Sequence, residues 1–488
     1  MSGIAGIMNG NATKAVTAML ERIGHRGPDG QKVAGLGGAV FGAAGLAAGP
    51  FDFAGPLERD GRLIVWDGEI HDFEALRDGA GSQAATDIEW ILERYGEEGP
   101  AVLGRLNGPF ALALLDGDDL VLARDPLGQA PLYYGRVEGR LSFASEIKAL
   151  QDVAENVRLF PPGNVLRRGE LEPIPRPEAP SPTEQDSDKL SAELLRVLER
   201  AIERRMAHVP RMGVWLSGGL DSSVLAALAA AGSRSVSTFS AGLAGAPDLA
   251  FARLVASHLG TDHHERLCTV EEMLEVLPRV IYHLESFDAP LVRSSIANYL
   301  VAGAAAARVR TVFSGEGADE LFAGYSFLKN RTEEGLREGL AEAQAALHNT
   351  ALQRVDRMAA AHGTRARPAF LDPDVVAFAN ALPGAVKVRG PEQTEKWILR
   401  QAIRGKLPEE VVERPKEKFW SGSGIAEKLA EVAEREIGDD EFARERELGR
   451  ESVLRSKEDL YYFRIFRRWF PRVDVLEGMG QTRHRESR

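Results

Sequence analysis

The sequence predicts two domains of different architecture, an α+β domain over residues 1–168 and an α/β domain with a parallel sheet over residues 188–475. The chain has 488 residues, which is more than one hydrophobic core usually holds. In its first third, short apolar runs alternate with glycine turns, a pattern that is typical of antiparallel hairpins. Beyond residue 188, apolar strands alternate with helices, which is typical of a parallel sheet covered on both faces.

The N-terminal domain begins with a short apolar strand, Ile4 to Met8, that directly follows Ser2. If Met1 is removed, a serine hydroxyl beside a free amine can act as a nucleophile. Hairpins with Asp-Gly or Glu-Gly turns are predicted in FALALLDGDDLVLARD and LYYGRVEGRLSFAS. Residues 169–187 are dense in proline, serine and acidic residues, so we predict a linker there.

The α/β domain carries a glycine-rich loop, Ser217 to Ser223, directly after the apolar strand VWL. Gly218 and Gly219 leave backbone N–H groups unobstructed, and the serines add hydroxyl donors. A helix predicted to begin near Leu220 points its positive end at the same place. The pattern predicts a pyrophosphate-binding loop, but not a Walker A loop, because the Gly-Lys-Ser/Thr ending is absent.

A second loop, SGEGADELFAGY, follows another apolar strand and supplies Glu316, Asp319 and Glu320. Carboxylates beside a phosphate-binding loop favour Mg²⁺, although acidic residues at the start of a helix are also common. A third segment, RPKEKFWSGSG, offers Lys416, which could equally be a solvated loop lysine.

Composition excludes several classes of function. The formal net charge of -12 disfavours binding to nucleic acid or to an anionic membrane, and no basic patch precedes the short tail, residues 476–488. No window reaches the roughly 18 apolar residues of a membrane helix, so a cytoplasmic protein is expected. A single cysteine, Cys268, excludes an intrachain disulfide, and we interpret it as a buried, inert thiol.

The motifs together resemble one family. HRGPDG, DGEIHDFEALR, FASEIKAL, WLSGGLDSS, VFSGEGADELFAGY, RPAFLD and RPKEKF occur in the order found in glutamine-dependent asparagine synthetases. The resemblance implies an N-terminal class II glutamine amidotransferase-like (Ntn) sandwich that releases ammonia, and a C-terminal PP-loop ATP pyrophosphatase domain. The latter would adenylate the aspartate side chain with ATP and Mg²⁺ and release pyrophosphate, after which ammonia displaces AMP.

The synthetase positions of the family match this chain well. The resemblance implies catalytic roles for Glu316, which handles the attacking amine, for Lys416, which neutralises phosphate charge, and for Tyr325, which shapes the loop. It implies that Asp221 and Asp319 bind Mg²⁺-pyrophosphate. It also implies an ATP-binding set comprising Ser217, Gly218, Gly219, Asp221, Ser222, Phe239, Ser240, Gly242, Ser314 and Gly315.

The glutaminase positions match poorly. Ser2 replaces the family's nucleophilic cysteine, Gly45 stands where an arginine grips the glutamine carboxylate, and Asp67 replaces the oxyanion-hole asparagine. A carboxylate at that place opposes a developing oxyanion. Gly68, Glu69 and Asp87 do match glutamine-contacting positions. Three losses in one site predict a vestigial glutaminase, so the synthetase would use ammonia.

The acyl substrate is less closely defined than the reaction. The loop SGEGADELF favours aspartate or a close analogue, with Arg293 as the candidate for its α-carboxylate. Ring closure of the β-lactam-synthetase type, amidation of another amino acid and a catalytically silent nucleotide-binding regulator remain alternatives. The family's dimers make a homodimer the expected assembly, with small molecules as the partners.

Overall fold

The computed structural model describes residues 2–47, 55–175, 186–232, 235–415, 425–447 and 454–472, together with residues 479 and 482. The strands are β1 Ser2–Ile7, β2 Gly30–Leu36, β3 Ala39–Gly45, β4 Leu57–Arg59, β5 Arg62–Gly68, β6 Phe110–Asp116, β7 Asp119–Arg124, β8 Tyr133–Val137, β9 Arg140–Ala144, β10 Glu155–Leu159, β11 Asn164–Arg167, β12 Glu170–Pro173, β13 Met212–Trp215, β14 Ser237–Leu243, β15 Asp262–Cys268, β16 Thr311–Ser314 and β17 Arg365–Pro368.

The α-helices complete the set of elements. They are α1 Thr13–Arg22, α2 Phe73–Gly79, α3 Asp87–Glu98, α4 Ile147–Leu150, α5 Ser187–Met206, α6 Leu220–Ala231, α7 Pro247–Leu259, α8 Val270–Leu284, α9 Ala289–Ala306, α10 Ala318–Phe322, α11 Glu333–Ala346, α12 Ala351–Ala360, α13 Pro373–Ala381, α14 Gly384–Lys387, α15 Trp397–Ile403, α16 Glu409–Val412, α17 Ile425–Glu436, α18 Asp439–Glu445 and α19 Lys457–Trp469. Across the described segments, no helix is both long enough and apolar enough to cross a bilayer.

The N-terminal domain contains two antiparallel sheets. Their strand orders are β10-β8-β9-β1-β3-β2 and β12-β11-β7-β6-β5-β4. Apolar residues of both sheets, among them Phe41 and Leu122, share one hydrophobic cluster. The predicted hairpins are confirmed: β8 and β9 pair around Glu138 and Gly139, which both take positive φ as a tight hairpin turn requires.

Strand β12 pairs with β11, so the second sheet extends into the segment predicted as a linker. The strand forms because β11 presents an unpaired edge to which the short run ELEP adds a hairpin arm. The remainder of the predicted linker, residues 176–185, lies outside the described residues, and α5 begins at Ser187.

The C-terminal domain contains the predicted parallel sheet, with strand order β15-β14-β13-β16-β17. Strand β13 ends at Trp215 and its neighbour β16 ends at Ser314. The two loops singled out in the sequence therefore leave adjacent strands at the same edge of the sheet. Ligands of open α/β sheets gather at this carboxyl edge.

The two domains share a continuous buried core. One hydrophobic cluster joins residues of α1 and α4 to residues of α8, α9 and α19, for example Leu20, Leu150, Leu277 and Phe466. Cys268 lies in this cluster, where burial raises the pKa of its thiol to about 11, so it is protonated at neutral pH. The aromatic segment near the C-terminus, α19, packs into the core as a helix.

Candidate active site at the carboxyl edge of the parallel sheet

The first glycine loop is shaped by close backbone approach and by its own hydroxyls. Gly218 has φ of +74°, and a Cβ there would lie 2.6 Å from the backbone nitrogen of Ala252. The hydroxyls of Ser217 and Ser222 lie 3.1 Å apart, and the Gly219 N–H donates to the Ser217 hydroxyl at 3.3 Å. These groups surround the N-terminus of α6, where backbone N–H groups and the helix dipole favour an anion.

The second loop lies directly against the first. A Cβ at Gly315 would lie 3.1 Å from the Cβ of Asp221, so the loops touch. As a result the carboxylates of Asp221 and Asp319 converge on one cation, the Lys396 Nζ, at 2.6 Å and 2.5 Å. Burial opposes the charge of Lys396, but attraction to the two carboxylates raises its pKa well above the ordinary value. Lys396 is not predictable from the sequence, because TEKWILR carries no signal beyond an ordinary lysine before a helix.

The convergent carboxylates suit a divalent cation. No group of three or more His, Cys, Asp or Glu side chains in the described part of the chain is arranged to hold a metal by itself. Mg²⁺, however, usually takes one or two carboxylates and completes its shell with substrate phosphates and water. Asp221 and Asp319 fit this donor set beside the predicted phosphate-binding loop, and the Lys396 ammonium balances the same two charges.

Glu316 is held by an ion pair that sequence analysis did not anticipate. The Arg354 guanidinium, from α12, donates to the Glu316 carboxylate at 2.8 Å. Both side chains are largely buried, with 15% of Arg354 and 14% of Glu316 exposed. The pair holds the predicted catalytic carboxylate in place, and Glu316 directly follows Gly315, which lies against Asp221.

Tyr325 closes the same loop. Its hydroxyl donates to the Glu320 carboxylate at 2.5 Å, and its ring stacks on Phe327. Burial, with the nearby charges of Glu320 and Asp319, raises the pKa of Tyr325 well above its ordinary value. Tyr325 is therefore a neutral hydrogen-bond donor that braces the acidic loop.

The residues predicted to contact ATP lie along neighbouring strand ends. Phe239, Ser240 and Gly242 are in β14, which pairs with β13 immediately before the glycine loop. The Ser240 hydroxyl donates to the Leu216 carbonyl at 2.5 Å and ties the two strand ends together. Ser314 ends β16, and its buried hydroxyl has no hydrogen-bond partner among the described residues.

One predicted residue is not joined to this cluster by the contacts observed. Arg293, in α9, forms a forked ion pair with the buried Glu458 of α19, whose carboxylate also accepts the Tyr462 hydroxyl at 2.6 Å. Its role in substrate binding stays a prediction. Lys416 lies outside the described residues, so its place in the site also stays a prediction.

The predicted vestigial glutaminase site is a buried charge network. Ser2 lies opposite Gly45 in the sheet, and its backbone nitrogen donates to the Asp67 carboxylate at 2.6 Å. The fully buried Arg26 contacts Asp67 at 3.2 Å and Asp356 of the C-terminal domain at 2.8 Å. Burial raises the pKa of Asp67 to about 6, although Arg26 opposes the shift.

The residues predicted to match glutamine-contacting positions form contacts within the chain. Arg365 and Arg367 of β17 both pair with the buried Glu69 carboxylate, Arg365 at 2.5 Å. Asp87 accepts the Ile70 N–H at 2.8 Å. A cavity of about 30 Å³ remains between the domains, bordered by Gly68 among others.

Comparison with known proteins agrees with this two-part architecture. The asparagine synthase family profile matches residues 193–338 and 328–462, and the glutamine amidotransferase domain profile matches residues 1–161. Two solved structures have low TM-scores to this chain. A glutamine phosphoribosylpyrophosphate amidotransferase from B. subtilis has a TM-score of 0.32 and 17% identity, over 54% of this chain and 65% of its own. An NMN synthetase from Francisella tularensis has a TM-score of 0.28 and 12% identity, over 62% of this chain and 100% of its own.

Curated relatives match over almost the whole chain. A probable glutamine-hydrolysing asparagine synthetase of Schizosaccharomyces pombe is 35% identical over 93% of this chain and 89% of its own length. Asparagine synthetase B of Escherichia coli, also described as glutamine-hydrolysing, is 34% identical over 93% and 87%. The fold and site define a two-domain chain of amidotransferase and synthetase type. The chain belongs to the asparagine synthetase family.

Proposed function

We propose that this protein is an ATP-dependent amide ligase that adenylates the side-chain carboxylate of aspartate or a close analogue and transfers free ammonia to it. The observation that carries the proposal is the convergence of Asp221 and Asp319 beside the serine-lined loop at the start of α6. A carboxylate pair beside a helix N-terminus that binds phosphate can hold Mg²⁺ and a pyrophosphate group together.

The reaction proceeds in two displacements. A substrate carboxylate oxygen attacks the α-phosphorus of ATP, the bond to the β-phosphate oxygen breaks, and pyrophosphate leaves into the loop of Ser217 and Ser222. Ammonia then attacks the acyl carbon, the bond to AMP breaks, and the nitrogen loses a proton. Glu316, held by Arg354, accepts that proton, and Lys416 balances charge on the α-phosphate.

Asp221 and Asp319 would hold Mg²⁺ together with the pyrophosphate oxygens. The ion, when bound, neutralises charge on the departing pyrophosphate. Lys396 keeps the two carboxylates together before substrate arrives, because its Nζ lies within hydrogen-bond distance of both. Tyr325 keeps the loop that bears Asp319 in shape through Glu320.

We propose further that the N-terminal domain no longer hydrolyses glutamine. Asp67 stands at the oxyanion position, with a carboxylate that accepts hydrogen bonds from Ser2 and Arg26 rather than offering a donor to a tetrahedral intermediate. Arg365 and Arg367 neutralise Glu69, which the family uses for glutamine. The domain then serves as a structural partner of the synthetase half, divided from it between β12 and α5, and a homodimer is the assembly we propose.

The test is exchange of labelled pyrophosphate into ATP in the presence of Mg²⁺ and aspartate, with no nitrogen source. The wild-type protein is expected to exchange label only when aspartate is present. Asp221→Asn is expected to lower exchange at least 100-fold, while Asp262→Asn, an exposed aspartate at the start of β15, serves as the matched control. Aspartate-independent exchange, or full exchange by Asp221→Asn, would contradict the proposal.

A further inference from the structure

Arg354 carries hydrogen-bonding capacity that the mechanism above does not use. One terminal N–H donates to Glu316 at 2.8 Å. The Nε of the same guanidinium is buried and has no hydrogen-bond partner among the described residues. An arginine offers five donors in a fixed fork, and leaving one of them buried and unpaired costs free energy that a bound oxygen atom would recover.

The position of Arg354 favours an acyl substrate over ATP as the source of that oxygen. Arg354 lies in the first turns of α12, and the neighbouring residues Leu352 and Val355 border the cavity between the domains. Most of the residues predicted to bind ATP lie in β14 or in the loop after β13. Ser314 and Gly315, at the end of β16, belong to the same set, and Glu316, which pairs with Arg354, is the next residue in the chain. Arg354 therefore stands on the β16 side, next to the carboxylate that handles the incoming nitrogen.

The other candidate for a substrate carboxylate is already engaged. Arg293 donates twice through Nε to the two oxygens of Glu458, at 2.7 Å and 2.9 Å, and Glu458 is almost fully buried. Opening that pair would leave a buried carboxylate without its cation, which is strongly unfavourable. Arg354 can receive a carboxylate without breaking its pair with Glu316, because its unpaired Nε–H is separate from the bond to Glu316.

We propose that Arg354 binds the carboxylate of the acyl substrate that is not adenylated, the α-carboxylate when the substrate is aspartate. This inference rests on the proposed function. One N–H of the guanidinium holds Glu316 and the buried Nε–H faces the substrate. A single side chain therefore positions both the substrate and the carboxylate that accepts the proton. Arg354 is then a substrate-binding residue of the site, and Arg293 is a structural one.

The experiment measures the KM values for aspartate and ATP in pyrophosphate exchange for the wild type and for four variants. Arg354→Gln removes the charge, and Arg354→Lys retains it. Arg293→Gln tests the competing arginine. Arg253→Gln is the matched control, because Arg253 forms an exposed bidentate pair with Glu265 on the same domain. Thermal denaturation of each variant reports whether it is folded.

Arg354→Gln is expected to raise the aspartate KM on the order of 10- to 100-fold, as loss of a charged hydrogen bond does, with the ATP KM within about twofold. Arg354→Lys is expected to recover part of the loss. An unchanged aspartate KM in folded Arg354→Gln, an equal rise in the ATP KM, or a rise confined to Arg293→Gln would overturn the inference. If Arg354→Gln does not fold, Arg354→Lys decides: an aspartate KM equal to that of the wild type overturns the inference.

A calorimetric titration separates this inference from the proposed function. Aspartate is titrated into the full-length protein loaded with Mg²⁺ and α,β-methylene-ATP, which cannot be cleaved. Binding by the wild type that Arg354→Gln weakens at least tenfold supports the role of Arg354 even if no exchange is detected, in which case only the ligase proposal falls. A wild-type protein that binds no aspartate overturns the inference.

Discussion

Replacement of Lys396 by methionine tests the electrostatics of the proposed pyrophosphate site. The Nζ of Lys396 lies 2.7 Å and 2.6 Å from the two oxygens of Asp221 and 2.5 Å from Asp319. Methionine conserves most of the volume but leaves two carboxylates without their cation. Breaking a buried pair costs about 3–5 kcal/mol, and because both carboxylates are 21% exposed we expect the lower end, ~3 kcal/mol.

The assay is thermal denaturation with and without Mg²⁺. A loss of ~3 kcal/mol should lower the unfolding temperature by roughly 5 °C for a domain of about 290 residues, at ~2.1 cal/mol/K of unfolding entropy per residue. Mg²⁺ at millimolar concentration should restore much of this loss in Lys396→Met and change the wild type little, because the ion replaces the missing positive charge. Lys406→Met is the control, because the Nζ of the exposed Lys406 lies 3.9 Å from the Glu199 carboxylate in the wild type. An unfolding temperature within about 2 °C of wild type, or an equal response of both proteins to Mg²⁺, would refute the reasoning.

Three other predictions concern the N-terminal domain. Burial raises the pKa of Asp67 from 3.8 to about 6, so its protonated carboxyl stabilises the fold below pH ~4, and that contribution is lost as the pH rises through ~6. Relative to Asp67→Asn, the wild type should therefore lose about 3 kcal/mol of unfolding free energy between pH 4 and pH 7. A difference in unfolding temperature between the two proteins that does not change with pH would contradict this. Glu69→Gln should lower the free energy of unfolding by ~3–5 kcal/mol, because Arg365 and Arg367 lose their carboxylate. Glu172→Gln, which removes an exposed ion pair, should lower it by less than ~1 kcal/mol. Equal losses in the two variants would contradict a larger contribution from the buried pair. Ser2→Ala should leave ammonium-supported amide formation unchanged, and a loss of activity in that variant would restore a catalytic role to the serine.

The sequence predicted those parts of the site that depend on local pattern. SGGLDSS and SGEGADELF each follow an apolar strand, and parallel strands align their carboxyl ends, so the meeting of Asp221 and Asp319 followed from topology. The hairpin between β8 and β9 followed from Glu-Gly turn chemistry. In each case the deciding residues lie within one short stretch of chain.

The parts that were missed depend on contacts between distant segments. Lys396 is 175 residues from Asp221, Arg365 is 296 residues from Glu69, and Arg354 is 38 residues from Glu316. Lysines and arginines are frequent on surfaces, and nothing local marks those whose partners are brought to them by packing. The buried arginines of β17 became evident only when the N-terminal domain was seen against the parallel sheet, since their partner Glu69 belongs to the other domain.

The most direct test of the proposed function measures product formation from Mg²⁺-ATP and aspartate. The reaction is run with ammonium, with glutamine, and with neither. In each case the amide is identified by its mass and the released pyrophosphate is measured. We expect asparagine, AMP and pyrophosphate in equal amounts with ammonium and no asparagine with glutamine alone. Asparagine formed from glutamine, and lost in Ser2→Ala, would contradict the vestigial glutaminase. No pyrophosphate with aspartate under any of the three conditions would contradict the ligase itself.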